Sequence, residues 1–372
     1  MVDAGGRSSR RFVGGLVGAA LAAAVVTVVA PQANAAPVGP MPTKSAKRIA
    51  HYLPPKAAAA APSAPKKGSR TEAPSGGVVI QSGSSGAGTG DMTGDGAQDI
   101  LARAAASGEL KVYTHSGTYN GVQTYNSVST INYGWNGLRW IGRGTVVPAG
   151  NGSARTVSDV IGITPDGIMR VYPHSGTYNG TATLTSPVTI VGYGWNINDL
   201  VFTYDIDANG FSDILARRMG TGDTYVYRHS GTLNGTSTFL APELVATGGE
   251  TDLEQNMGDF TGDGSPDLMF LSPDGWLSVL SLNEGDINPE TGQPYGVAYG
   301  IGYGWGSINA ISLTDINRDN RVDVLGRRAA DGVLQVYTNT GAWDPDPYGR
   351  EFGVLLQPII VGYGWQTNNV IT

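Results

Sequence analysis

Five tandem units of about 57 residues, each with about four short β-type runs, predict an all-β chain folded as a five-bladed β-propeller of four-stranded blades. Three markers set the phase. A nine-residue acidic loop occurs four times, as DMTGDGAQD from Asp91, DIDANGFSD from Asp205, DFTGDGSPD from Asp259 and DINRDNRVD from Asp315. Each loop runs into an apolar pair: Ile100-Leu101, Ile214-Leu215, Leu268-Met269 and Val324-Leu325. A strand-like run ending in Tyr follows, as in ELKVYTHSGTYNG up to Gly121, and the tetrapeptide GYGW (NYGW in its first copy) ends at Trp135, Trp195, Trp305 and Trp365. In phase, these markers start units near Gly90, Gly144, Tyr204, Gly258 and Thr314.

The chain opens differently. Arg7, Arg10 and Arg11 precede an apolar run from Phe12 to Ala30, and Ala33-Asn34-Ala35 reads as a small-residue cleavage site. Residues 1–35 are therefore expected to be an export signal and the mature protein to be secreted and extracellular. No second apolar run is long enough to span a bilayer, so no transmembrane domain is expected after cleavage. Residues 36–77 form a Pro/Ala/Lys-rich linker, expected to be disordered because it cannot bury a core. Its basic residues suit a solvated spacer or contact with an anionic cell wall or partner. The globular domain is assigned to residues 78–372. Signal and linker hold ten of the 24 Lys and Arg but only two of the 31 Asp and Glu, which leaves that domain strongly acidic. Such a balance disfavours nucleic acid, whose phosphates need a basic face. The chain has no cysteine, so no disulfide staples it.

The units then follow in order. In the first, the Gly-rich Ser84–Gly90 stands where an innermost strand is needed; by phase, Asn369–Thr372 at the C-terminus supplies it and closes the ring. The second unit has PAGNGSARTVSD in place of the acidic loop, keeping only Asp159 at the final position. The third has strand-like runs at 200–204, 213–216, 224–228 and 243–247 and has lost its GYGW. The fourth has LSVLSLNEGD in place of the run ending in HSG. No stretch after Gly77 shows sustained helical periodicity, so almost no helix is expected there.

Each acidic loop places oxygen-bearing side chains at positions 1, 3, 5 and 9: Asp91, Thr93, Asp95 and Asp99; Asp205, Asp207, Asn209 and Asp213; Asp259, Thr261, Asp263 and Asp267; Asp315, Asn317, Asp319 and Asp323. Hard oxygen donors in a short flexible loop suit Ca²⁺, and up to four ions are expected, with none in the second unit. Position 6 is Gly96, Gly210, Gly264 or Asn320, residues that tolerate a left-handed backbone. The flanks are strands, and no Glu stands at position 12, so these are not EF-hands.

GDMTGDGAQDIL, DIDANGFSDIL and GDFTGDGSPDLM resemble the FG-GAP/VCBS repeat, the Ca²⁺-loop propeller repeat of integrin α-subunit heads. With VYxHSGTxNG and GYGW, the chain from Gly90 to Thr372 is similar to secreted actinobacterial propellers of that type. The resemblance implies structural Ca²⁺ in the four matching loops. The five-unit count is similar to tachylectin-like five-bladed lectins in architecture, and such propellers serve as sugar-binding subunits, including in secreted toxin particles.

No catalytic set is evident, and the chain is not expected to be an enzyme: GxSxG, HExxH and Walker motifs are missing. Carboxylates in the divergent third unit, Glu250, Asp252 and Glu254, are where a polysaccharide-degrading pair would be sought. Repeated aromatics beside Asn, His, Ser and Thr suit sugars, because an aromatic face stacks on a pyranose while amides and hydroxyls take its OH groups. The candidates are Tyr133/Trp135, Tyr193/Trp195, Tyr303/Trp305 and Tyr363/Trp365, with His115, His174, His229 and Asn339. Two readings are open for these residues: packing between blades, or ligand contact. The function expected is a multivalent lectin for cell-surface or cell-wall carbohydrate; the alternative is a protein-interaction propeller acting as a subunit of a secreted assembly.

Overall fold

Short apolar runs punctuated by glycine turns build five antiparallel sheets in the computed structural model, which describes residues 49–50, 90–287, 294–343 and 353–372, with backbone alone at 49–50, 282–287 and 294–297. All described residues belong to one unit within Ala35–Thr372. The expected signal, and the expected linker apart from Ile49–Ala50, lie outside the described residues.

The elements in chain order are β1 (Ile49–Ala50), then β2 (Ile100–Ala104), β3 (Leu110–His115) and β4 (Tyr125–Asn132) of blade 1. Blade 2 is β5 (Trp140–Gly144), β6 (Asp159–Ile163), β7 (Met169–Tyr172) and β8 (Thr189–Gly192). Blade 3 is β9 (Asn198–Tyr204), β10 (Asp213–Arg218), β11 (Thr224–Tyr227) and β12 (Glu243–Ala246). Blade 4 is β13 (Glu254–Gly258), β14 (Asp267–Leu271), β15 (Trp276–Ile287) and β16 (Pro294–Tyr303). Blade 5 is β17 (Ile308–Thr314), β18 (Asp323–Arg328), β19 (Leu334–Tyr337) and β20 (Ile359–Gly362), and the last strand is β21 (Asn368–Ile371). Sheet orders are β21-β2-β3-β4, β5-β6-β7-β8, β9-β10-β11-β12, β13-β14-β15-β16 with β1 outside β16, and β17-β18-β19-β20. The fold is the predicted five-bladed propeller. Among the described residues there is no α-helix, only three-residue 3-10 turns, and no helix is long and apolar enough to cross a membrane.

Ring closure follows the predicted route. β21 lies antiparallel to β2, with Ile371 opposite Ala102, and Leu101 and Thr372 exchange two backbone hydrogen bonds of 2.8 Å. The C-terminal strand thus serves as the innermost strand of blade 1 and removes an open edge.

Two departures concern blade 4. The HSG turn that ends β3, β7 and β11 is missing there, so β15 and β16 run to 12 and 10 residues and form a longer hairpin. Ile49 and Ala50, within the segment expected to be unstructured, pair with Val297 and Gly296 on β16.

The second strand of each blade explains the apolar pair after each loop. Successive side chains on a strand point to opposite faces, and both faces of these strands are covered by neighbouring blades. Ile100 joins the cluster shared by blades 5 and 1, whereas Leu101 joins that of blades 1 and 2. Ile214 and Leu215 divide likewise between blade 2 and blade 4, and Val324 and Leu325 between blade 4 and blade 1. Each fully buried side chain of this kind stabilises by about 1.5–3 kcal/mol. Five interblade clusters, rather than one central core, hold the ring.

Deleting residues 368–372 uncovers the edge of β2 and removes buried Val370 and Ile371. The melting temperature is expected to fall by more than about 5 °C; a thermal melt unchanged by the deletion would refute closure by this strand.

Candidate functional site

Each acidic loop is held by its own carboxylates. At position 1, Asp91 accepts from the amides of Thr93, Gly94 and Gly96 at 3.0, 2.6 and 2.8 Å, and Asp205 accepts from Asn209 and Gly210 at 3.0 and 2.7 Å. At position 5, Asp95, Asn209, Asp263 and Asp319 each accept from the amide two residues on. The backbone is left-handed at position 6, as expected, and also at position 4, where Gly94, Ala208, Gly262 and Arg318 stand. The paired glycines of TGDG were the sequence signal for that second turn.

Position 9 ties the loop to the sheet. Asp99 is buried and accepts from the amides of Met92 and Thr93 through Oδ2, at 2.9 and 3.1 Å, and from that of His115 through Oδ1 at 2.9 Å. Asp213 and Asp323 tie the loop start to His229 and Asn339 in the same way. Asp267 holds Phe260 and Thr261, while its Oδ1 is buried without a hydrogen-bond partner. In blade 2, where the acidic loop is missing, Asp159 repeats the pattern with Val146, Val147 and His174 at 3.0, 2.7 and 2.8 Å. The final aspartate is therefore a latch between loop and third strand in a blade with no acidic loop to fill. Burial pushes Asp99 and Asp159 up to about 6 and Asp213, Asp267 and Asp323 up to about 7, against the amide bonds that favour the charged form.

Loop 3 gathers charge most tightly: carboxylate oxygens of Asp205, Asp207 and Asp213 lie within 4.8 Å of one another. Among the described residues, loops 1, 4 and 5 do not bring three carboxylates that close. A carboxylate oxygen that accepts one N–H keeps a second lone pair, so the loop-3 donors fit a hard divalent cation. Arg228 stands 3.6 Å from Asp207 and partly offsets the charge.

The histidines act as pins between blades and are not surface contacts. His115, His174, His229 and Asn339 are all buried, which corrects their candidacy for carbohydrate binding. Nδ1 of His115, His174 and His229 accepts from the amides of Gly117, Gly176 and Gly231 at 3.0, 2.9 and 2.9 Å. The proton thus resides on Nε2, which donates to Ile316 O from His115 at 2.9 Å and to Met92 O from His174 at 3.0 Å. Those carbonyls sit at position 2 of the preceding blade's loop. Asn339 supplies the same acceptor and donor, to Gly341 and Phe260, which explains why Asn replaces His there. His229 faces Val146 across blade 2 without closing a hydrogen bond from Nε2. Burial lowers the pKa of all three rings.

GYGW divides into parts with separate tasks. A Cβ on the first glycine (Gly192, Gly302 or Gly362) would collide with the following indole. The second glycine is left-handed, with φ between 78° and 91° at Gly134, Gly194, Gly304 and Gly364. Trp135, Trp195, Trp305 and Trp365 are buried against Tyr172, Tyr227, Tyr337 and Tyr113 of the next blade, with ring centroids 4.6, 4.6, 4.4 and 4.3 Å apart. Their faces are spent on packing, so the indoles are not offered to a ligand. The tyrosines between the glycines point outward: Tyr133, Tyr193 and Tyr363 are 61, 65 and 62 % exposed. Tyr303 is half-buried because Trp276 packs on it at 5.2 Å.

Antiparallel strands put the acidic loops and the HSG connections on one face of the ring and these tyrosines on the other. Between blades 1 and 2 this second face opens a cavity of about 260 Å³ lined by Asn132, Tyr133, Leu138, Thr164, Arg170 and Tyr172, with Trp135 behind. Arg170 and Tyr172 share one face of β7, turned towards blade 1.

Sequence reasoning missed three arginines that clamp the ring. Arg103, Arg217 and Arg327 occupy the same register on the second strand of blades 1, 3 and 5. Arg103 donates to Asn369 and to the carbonyls of Trp135 and Leu138, where the chain enters blade 2. Arg217 does the same with Asp199, Gly249 and Asp252, and Arg327 with Asn309, Trp365 and Asn368. The only signal was an Arg four residues after the latch aspartate in three of five units. In the third-unit acidic group, Glu250 is exposed, Asp252 is buried and accepts from Gln255 Nε2 at 3.0 Å, and burial pushes Glu254 up to about 8 against the nearby Arg217.

No family model matches the chain, and no curated protein matches it. Among solved structures, one that is similar is an Agrocybe aegerita lectin described for specific recognition of non-reducing terminal N-acetylglucosamine, with 20 % identity and a TM-score of 0.37. The match covers 72 % of this chain and 65 % of the lectin, less than two thirds of its length. At that identity and score it does not extend to what the two proteins bind.

Replacing Asp159 with Ala orphans three amides. A loss of about 3 kcal/mol is expected, equal with calcium and with chelator because blade 2 has no acidic loop; a calcium-dependent loss in denaturant melts would contradict the latch. For His174 the folded pKa lies below the unfolded value, so its contribution is present above the unfolded pKa and is lost as pH falls through it. Arg155 and Asp91 act on the ring in opposite senses. His174→Asn keeps the donor and acceptor without titrating. The stability gap between parent and variant should shift in the variant's favour from pH 7 to pH 5, and a gap independent of pH would count against the neutral pin.

Proposed function

We propose that the chain is a secreted carbohydrate-binding propeller with its ligand sites in the grooves between blades. The observation that carries this reading is the cavity between blades 1 and 2, where an exposed aromatic ring meets amide, hydroxyl and guanidinium groups. Aromatic faces and convergent polar groups are what a pyranose needs. The exposed tyrosine recurs at the ends of blades 2 and 5, which supports several weak sites acting together on an arrayed glycan. The grooves lie on the face away from the acidic loops, so binding and metal are separate in space.

Calcium, in this reading, stabilises the fold and does not touch the ligand. Asp205, Asp207, Asn209 and Asp213 would hold an ion in loop 3, and the matching residues of loops 1, 4 and 5 would do so with fewer clustered carboxylates. A cation there offsets repulsion that otherwise opposes folding. Docking into a secreted assembly is the second reading, favoured by the long β15–β16 hairpin whose edge accepts β1.

The test is a glycan and cell-wall polysaccharide array probed with residues 36–372, with calcium and with chelator, beside thermal melts. Selective binding that weakens in Tyr133→Ala, together with a melting temperature raised by calcium, is expected. Silence on the array from a folded, calcium-loaded protein would reject the carbohydrate reading in favour of docking.

A further inference from the structure

We propose that the groove between blades 1 and 2 takes an acidic sugar, a pyranose bearing one carboxylate, and that Arg170 binds the carboxylate; this rests on the carbohydrate reading above. The inference comes from comparing equivalent grooves. Strand register places Lys111, Arg170, Tyr225, Ser278 and Gln335 at one position, opposite Ala102, Gly162, Ala216, Phe270 and Gly326. A second register, one residue beyond the last pair between second and third strands (Ile163, Arg217 and Arg327), holds Thr164, Arg218 and Arg328.

Cations at these grooves are accounted for by their own blade, with one exception. Lys111, beside the groove of blades 5 and 1, pairs with Glu109 at 2.9 Å. Arg328, beside that of blades 4 and 5, pairs with Asp331 at 2.6 Å. Arg218, beside that of blades 2 and 3, lies over the ring of Tyr225 at 4.7 Å. Arg170 has no hydrogen-bond or ion-pair partner among the described residues, yet it is only partly exposed and lines the cavity. Thr164 is the neighbour at the second register, and its hydroxyl donates to Asp166, which has no hydrogen bond or ion pair to Arg170.

An unpaired guanidinium in a half-enclosed aromatic groove selects for an anion with planar, bidentate geometry, which a carboxylate has. Tyr133 supplies a face for the ring, and Asn132 lines the same wall. The cavity of about 260 Å³ is a little below the usual ligand-site range of about 300 Å³ and upward; it suits one monosaccharide rather than a long run of chain. The acidic loops do not oppose this, because they lie on the other face and surface charges further than about 8–10 Å are largely screened.

The probes are methyl glucuronide and methyl glucoside, titrated by NMR or calorimetry into residues 36–372 with calcium present. The uronide is expected to bind about tenfold tighter than the neutral glycoside, with the preference shrinking in 0.5 M salt. Arg170→Gln should abolish the preference without lowering the melting temperature, since Arg170 supports nothing else, and Lys111→Gln should leave the preference intact. Equal or tighter binding of the glucoside, or a preference that survives Arg170→Gln, overturns the acidic-sugar assignment and leaves the lectin reading standing. Binding of neither monosaccharide overturns the assignment, and the polysaccharide array then decides the lectin reading separately.

Discussion

A buried aspartate accepting backbone amides from two directions is the interaction on which four of the five blades depend. Asp99, Asp159, Asp213, Asp267 and Asp323 stand at the start of the second strand, where they capture the beginning of the preceding loop; in four of the blades each is also bonded to the end of the third strand. Neither segment has sheet partners for those amides, and buried donors without acceptors are costly. The carboxylate resolves both at once. It also positions the next residue in line, the His or Asn that reaches back to the preceding blade. One side chain in each of these four units thereby connects the hydrogen bonding within a blade to the contacts between blades.

The ring is held at three levels of radius and height. Arginines clamp the inner entry points of blades 1, 3 and 5, His and Asn pins join the loop face, and indoles pack beneath the opposite face. Ile163 and Leu271 take the position in blades 2 and 4, and both lie in apolar interblade clusters; because five is odd, the arginine-bearing blades 5 and 1 are neighbours in the closed ring. Departures from the repeat are matched by local substitutes. Blade 3 lacks its indole, and blade 4 presents Trp276 against Tyr303 at the far side of that junction. Blade 2 lacks its acidic loop, and Arg143 is buried there, donating to the Gly90 and Asp99 carbonyls of blade 1. With burial lowering its pKa to about 10, Arg143 stays charged at neutral pH.

Much of this was legible because repetition exposes phase. The loop positions, the apolar pairs and the C-terminal closing strand could be placed by aligning units, since each depends on local spacing and on strand alternation. The reading of GYGW could not be completed that way. Both aromatics recur together, but only backbone geometry separates them: the left-handed second glycine turns Trp inward while Tyr stays out. The same limit applied to the histidines, whose burial depends on the neighbouring blade's loop, and to Arg170, whose lack of a partner is visible only beside Lys111, Arg218 and Arg328.

What the amino-acid order determined by itself is the blade count, the loop positions and the route of closure, because these follow from periods along the chain. What only the tertiary structure decided is which repeated side chains face solvent. That choice is made at the junction between blades, where residues some 40–80 positions apart, such as His174 and Met92 or Trp135 and Tyr172, compete for one buried space. The indoles and imidazoles fill it, and the tyrosines and one arginine are left at the surface.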